Sequence, residues 1–162
     1  MPGGTDRAKR AGAGSDPLAA LDDTGRQLID EVHSLLQIDE QWTEWHPDGF
    51  AWWAHGLAQT FRVEGPEDVD DIPTYWYSYE TSVLKGLPVE HPKALTFVAL
   101  QNRVNNLFTA RVVGDRLVYS GRTYVLPESA TDRARQIGHR AIIANALAHA
   151  QADQLSEMYK RF

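Results

Sequence analysis

The stretch "DGFAWWAHGLAQTFRVE", residues 48–64, decides how this chain folds. It is rich in aromatic and β-branched residues and has no helical spacing, which is the pattern of a strand. The run "QWTEWH", residues 41–46, has the same character. Pro47, Asp48 and Gly49 lie between the two, and a three-residue connection with glycine last is a common hairpin solution. Side chains alternate faces along a strand, so this turn sets the faces. His46 is then expected opposite Phe50, Glu44 opposite Trp52 and Trp42 opposite Ala54. Thr43, Trp45, Ala51, Trp53 and His55 take the other face, which Leu57, Phe61 and Val63 continue. On this reading Trp45 and Trp53 pack under the helices. Trp42, Phe50, Trp52 and Trp76 form an outer aromatic patch, the candidate protein-interaction surface. A bulge at Gly56 would reverse the assignment.

Working outward, "TYWYSYETSVLKG" (residues 74–86) predicts a third strand, and the acidic "GPEDVDDIP" before it a loop. "LFTARVVGDRLVYSGRTYVL" (residues 107–126) predicts a second hairpin across Gly114-Asp115. Helical spacing appears three times. Asp16 is a candidate N-cap with Pro17 in the first turn, opening a helix over 17–37 that Gly25 weakens without ending it. "HPKALTFVALQNRVNN" (residues 91–106) is a short helix that stops near Asn105-Asn106. A long helix capped by Thr131 or Asp132 reaches nearly to Phe162. Its stripe of Ile137, Ala141, Ala144, Ala148, Ala152, Leu155, Tyr159 and Phe162 has an alanine-rich middle that permits close packing. The order α-β-β-β-α-β-β-α predicts an α+β domain with a five-stranded antiparallel sheet and helices mainly on one face. Residues 17–162 form this single domain, and residues 1–16 are expected as a disordered tail.

Composition narrows function. The chain has 162 residues, a net charge of −6 and no cysteine, with a pI near 5.4. An acidic surface disfavours non-specific nucleic-acid binding. No apolar run is long enough to span a membrane, and the N-terminus has no secretory core. Without cysteine there are no disulfides or thiolate chemistry. A cytoplasmic home is expected.

No catalytic signature emerges. His46 and His55 invite a metal reading, but the expected register puts them on opposite faces. His33, His91, His139 and His149 give no pair at four-residue spacing on one helix. "HPD" at residues 46–48 is flanked by strands, unlike the helix-joining motif of J-domains. "EDVDD" lacks the spacing of a calcium loop. Glu44, Glu64 and Glu80 read as polar sheet-face residues. Neither a nucleophile elbow nor a phosphate-binding glycine loop is present.

The element order, the small acidic chain and the long C-terminal helix resemble the type III secretion chaperone-like fold, which includes YbjN-type bacterial proteins. The carrying segments are "DGFAWWAHGLAQTFRVE", "YSYETSVLKG" and "ALTFVALQNRVNN", and the resemblance covers about residues 17–160. It implies a twisted antiparallel sheet, frequent homodimerisation, no bound cofactor and protein binding without catalysis. The expected function is therefore a non-enzymatic, homodimeric protein-binding module. A small apolar ligand-binding domain, or an unrecognised enzyme with a cavity between sheet and C-terminal helix, is the alternative.

Overall fold

A computed structural model describes residues 16–54, 56–86, 92–104 and 107–160. The expected tail lies almost wholly outside the described residues, as does His55. The chain is α+β, and among the described residues it has three α-helices and one antiparallel sheet. In chain order the elements are α1 (Asp23–Leu36), β1 (Thr43–His46), β2 (Gly49–Ala54), β3 (Leu57–Val69), β4 (Ile72–Leu84), α2 (Pro92–Val104), β5 (Thr109–Val113), β6 (Arg116–Val125) and α3 (Ala130–Lys160). The sheet has six strands in the order β1-β2-β3-β4-β6-β5, one more than the sequence predicts.

The extra strand comes from the opening stretch itself. Residues 50–64 are not continuous: Ala54 pairs with Leu57, so β2 turns back immediately into β3. Gly56 sits at φ 78°, a left-handed conformation that glycine adopts without a Cβ penalty. The acidic loop is also a correction. β3 runs on through the Gly65-Pro66 step to Val69, and Val69 pairs with Ile72 across Asp70-Asp71. Both aspartates have positive φ, 51° and 64°, the requirement of a tight two-residue hairpin turn. The register slips between Glu64 and Glu67, and that irregularity is where a strand tolerates proline.

The first hairpin is tighter than expected, and this exchanges the faces. His46 pairs with Gly49 and Trp45 with Phe50, leaving a two-residue connection. Phe50 then stacks on Phe61 at 5.0 Å between ring centroids and is 0% exposed in the core. Gly49 has a different duty from the one expected: a Cβ there would lie 1.8 Å from the Phe61 carbonyl oxygen. The Asp48 carbonyl accepts the Val63 N–H at 2.8 Å in the same close approach.

α1 and α3 cover the face that carries Phe50, Phe61, Val63, Tyr77, Tyr79 and Tyr119. α1 starts later than predicted. Asp16 accepts the Leu18 N–H in a preceding turn, and Asp22 is the cap, accepting the Gly25 N–H at 2.9 Å. Asp22 also accepts the Tyr75 hydroxyl, tying the helix start to β4. The alanine stripe of α3 is buried as predicted at Ala141, Ala144 and Ala148. Gly138 lets α1 approach, since a Cβ there would come within 2.5 Å of Leu35 Cδ2.

Polar groups inside this layer are mostly paired. Gln59, fully buried, accepts the Trp52 indole N–H at 2.9 Å. It donates to Thr81 Oγ1 at 2.8 Å and to the Ala141 carbonyl at 2.9 Å, joining three strands to α3. Burial pushes the Tyr79 phenol up to about 12, opposed by Arg140, and holds the Tyr77 phenol well above its ordinary value. Among the described residues the Tyr77 hydroxyl has no hydrogen-bond partner.

Candidate functional site

With the core on the helix side, the opposite face of the sheet is the place to look for a site. Reading the register across it gives rows of polar side chains. Arg62 pairs with Ser78 and Ser78 with Arg122. Thr60 pairs with Glu80, Glu80 with Ser120, and Ser120 with Thr109. Ser82 pairs with Val118, and Val118 with Arg111. Arg116, at the start of β6, closes this end. The first two rows, with Arg111 and Arg116, line an open trough of about 950 Å³ on the sheet's outer face.

The charges are held by their neighbours. Glu80 accepts from Arg111 at 3.4 Å through one oxygen and from Arg116 at 3.3 Å through the other. Arg111 Nε donates to Ser120 Oγ at 3.1 Å, and Arg116 donates to Ser82 Oγ at 3.1 Å. At the other end Arg122 lies over the Trp76 ring, 4.4 Å from its centroid, and reaches Glu64 at 3.8 Å. Arg62 and Asp48 are 3.9 Å apart. Trp76 touches Tyr124 edge-on at 6.4 Å, and Arg133 lies 5.7 Å over Tyr124. Such stacking places an arginine at little cost while leaving donors open.

The four residues expected to form one outer patch do not share one face, and only Trp42 and Trp52 stay together. Trp76 is on the outer face, beside the trough. Phe50 is core. Trp52 faces the helices, packs half-buried against the core and bonds Gln59. Trp42 ends the 3-10 turn Glu40–Trp42 and is 60% exposed. It shares with Trp52 and Trp53 a shallow recess of about 280 Å³, floored by Ile38. Trp53, expected in the core, is 45% exposed on the outer face. Trp45 packs under α1 as expected, 4.8 Å from the His33 ring.

The arginines were missed because their common face is visible only once the register is known. A trace existed in the alternation of Arg116, Val118, Ser120 and Arg122 along β6.

His46 lies 3.4 Å from Glu44 on the outer face. Among the described residues no group of three or more histidines and carboxylates is placed to hold a metal ion. No described helix is long and apolar enough to cross a membrane.

The third surface is α2. Its Phe97 and Val98 pack on the core, and Asn102 seals the β5 edge. The Asn102 amide donates to the Ala110 carbonyl at 2.9 Å and accepts the Ala110 N–H at 2.7 Å, standing in for a further strand. That contact protects an edge otherwise open to pairing with another chain. Leu95, Leu100 and Val104 of this helix are exposed, the last by 74%.

Fold and surfaces together define an α+β protein with one helix-covered sheet face and one open, arginine-lined face. Comparison with known proteins adds no narrower class: no protein-family model and no curated protein matches the chain.

Proposed function

We propose that the protein is a non-enzymatic, cytoplasmic protein-binding module of the secretion-chaperone type, acting as a homodimer. The observation that carries this reading is the group of exposed apolar side chains at the C-terminal end of α2. Leu100 and Val104 are one helical turn apart, and Leu107 follows just beyond; all are exposed. Exposed apolar side chains grouped on one helix are characteristic of a protein interface. A second copy of the chain buries them, and the open sheet face stays free for a different polypeptide.

A cavity for a small apolar ligand between sheet and α3 has less support. Tyr77, Tyr79 and Tyr119 fill that layer with Ile137, Ala141 and Ala144, all buried in one cluster.

Sedimentation tests the pairing. The wild-type chain is expected at twice its 18.2 kDa mass at micromolar concentration. Leu100→Asp combined with Val104→Asp is expected to sediment as a monomer with an unchanged circular dichroism spectrum. Placing a charge in a buried apolar interface costs several kcal/mol, about enough to dissociate a micromolar dimer. A wild-type monomer, or a double variant that still dimerises, contradicts the pairing.

A further inference from the structure

We infer that the outer-face trough binds an extended acidic polypeptide segment, with Arg111 and Arg116 taking carboxylates at one end and Arg122 and Arg62 at the other. This rests on the reading of the protein as a protein-binding module and names the chemistry of its partner.

Charge is the first argument. The chain carries a net charge of −6, yet the trough is lined by four arginines and only two glutamates, Glu64 and Glu80. Two of the arginines share the single Glu80 carboxylate. The Arg122–Glu64 and Arg62–Asp48 pairs are long, at 3.8 and 3.9 Å. Exposed pairs of this kind contribute about 0–1 kcal/mol each, so exchanging one carboxylate for an incoming one costs little. Each guanidinium has five N–H donors in a fixed fork, which leaves capacity for a bidentate carboxylate.

The second argument is spacing. The Arg111 and Arg116 guanidiniums meet at Glu80 and that of Arg122 lies over Trp76; Trp76 and Glu80 are two same-face steps apart along β4, about 13 Å. An extended peptide advances about 3.3 Å per residue, so a carboxylate about four residues from a first one at Arg122 meets the Arg111 and Arg116 pair. Between the two ends stand Thr60, Ser78 and Ser120, short side chains that keep the floor low. The arginines are already oriented by Ser120, Ser82 and the Trp76 ring, which limits the ordering cost of binding.

The third argument sets the ligand's class. A nucleic acid continues its charge in both directions, and beyond Trp76 this sheet meets Glu67, Asp68, Asp70 and Asp71 of the β3–β4 hairpin. A long polyanion is repelled there. A polypeptide with a confined acidic stretch is not.

Fluorescence anisotropy with a labelled Gly/Ser peptide of about ten residues tests this, with two aspartates placed about four residues apart. The controls are the same peptide with asparagine and a single-stranded oligonucleotide of similar length. The aspartate peptide is expected to bind, and Arg111→Gln with Arg122→Gln to weaken it at least about tenfold, since each lost charged hydrogen bond matters on that scale. Equal binding of the asparagine peptide, wild-type affinity in the double variant, or preference for the oligonucleotide overturns the proposal. Sedimentation of the same samples separates the two readings. A dimer without peptide affinity overturns the trough and leaves the pairing standing; a monomer that binds the peptide does the reverse.

Discussion

Gly49→Ala is expected to destabilise the protein by about 3 kcal/mol or more, at the upper end for a small-to-large change. The reason is backbone contact. The new methyl would fall 1.8 Å from the Phe61 carbonyl oxygen and 2.8 Å from its carbon, and neither atom can rotate away as a side-chain tip could. β2 and β3 would have to separate where Gly49 pairs with Arg62, beside the stacked Phe50 and Phe61. Gly56→Ala is the comparison. That position has φ 78° and open space, so the substitution meets only the left-handed penalty of about 1–2 kcal/mol. Urea unfolding of both variants checks the pair. A Gly49→Ala variant as stable as wild type, or less affected than Gly56→Ala, contradicts the packing described for the first hairpin.

The second large effect is expected at Gln59. Gln59→Leu keeps the volume and removes the partner of three groups: the Trp52 indole N–H, the Thr81 hydroxyl and the Ala141 carbonyl. Thr81 is fully buried, so its hydroxyl loses its bond without gaining water. Leaving such groups unpaired costs about 1–3 kcal/mol each where water cannot reach them, and a loss of about 2–3 kcal/mol is expected for this node as a whole. Thr81→Val in the Gln59→Leu background is expected to recover part of that loss, because the orphaned hydroxyl is removed. Thermal and urea denaturation of the single and double variants measure this. Additive destabilisation by the two changes contradicts the node.

These positions also show what was legible in the sequence. The α+β class, the short middle helix and the α3 alanine stripe were readable because helical spacing is local. Gly114-Asp115 was readable as a hairpin turn for the same reason, and Val113 does pair with Arg116. The first hairpin was not. Pro47-Asp48-Gly49 fits a three-residue connection on local chemistry, but Gly49 answers a distant demand, the approach of Phe61. A one-residue difference in the turn exchanges the faces of β2, and the turn at Gly56 restores the expected core face at Leu57, Phe61 and Val63. Phe50 and Trp52 thereby moved inward and Trp53 outward. Asp70-Asp71 was hidden for another reason: aspartate tolerates the left-handed region less often than glycine or asparagine announces it, so the acidic run looks like solvated loop. The trough inherits both difficulties, since its arginines come from β3, β5 and β6 and meet only through the register.

The face assignment underlies the trough, and collisional quenching of tryptophan fluorescence by acrylamide tests it most directly. Trp53 and Trp76 lie on the open face, while Trp52 is half-buried and bonded to Gln59 on the other. In Trp53→Phe the readily quenched fraction of the emission is expected to fall, and in Trp52→Phe it is expected to stay. A fall in Trp52→Phe with none in Trp53→Phe would place Trp52 outside and contradict the account.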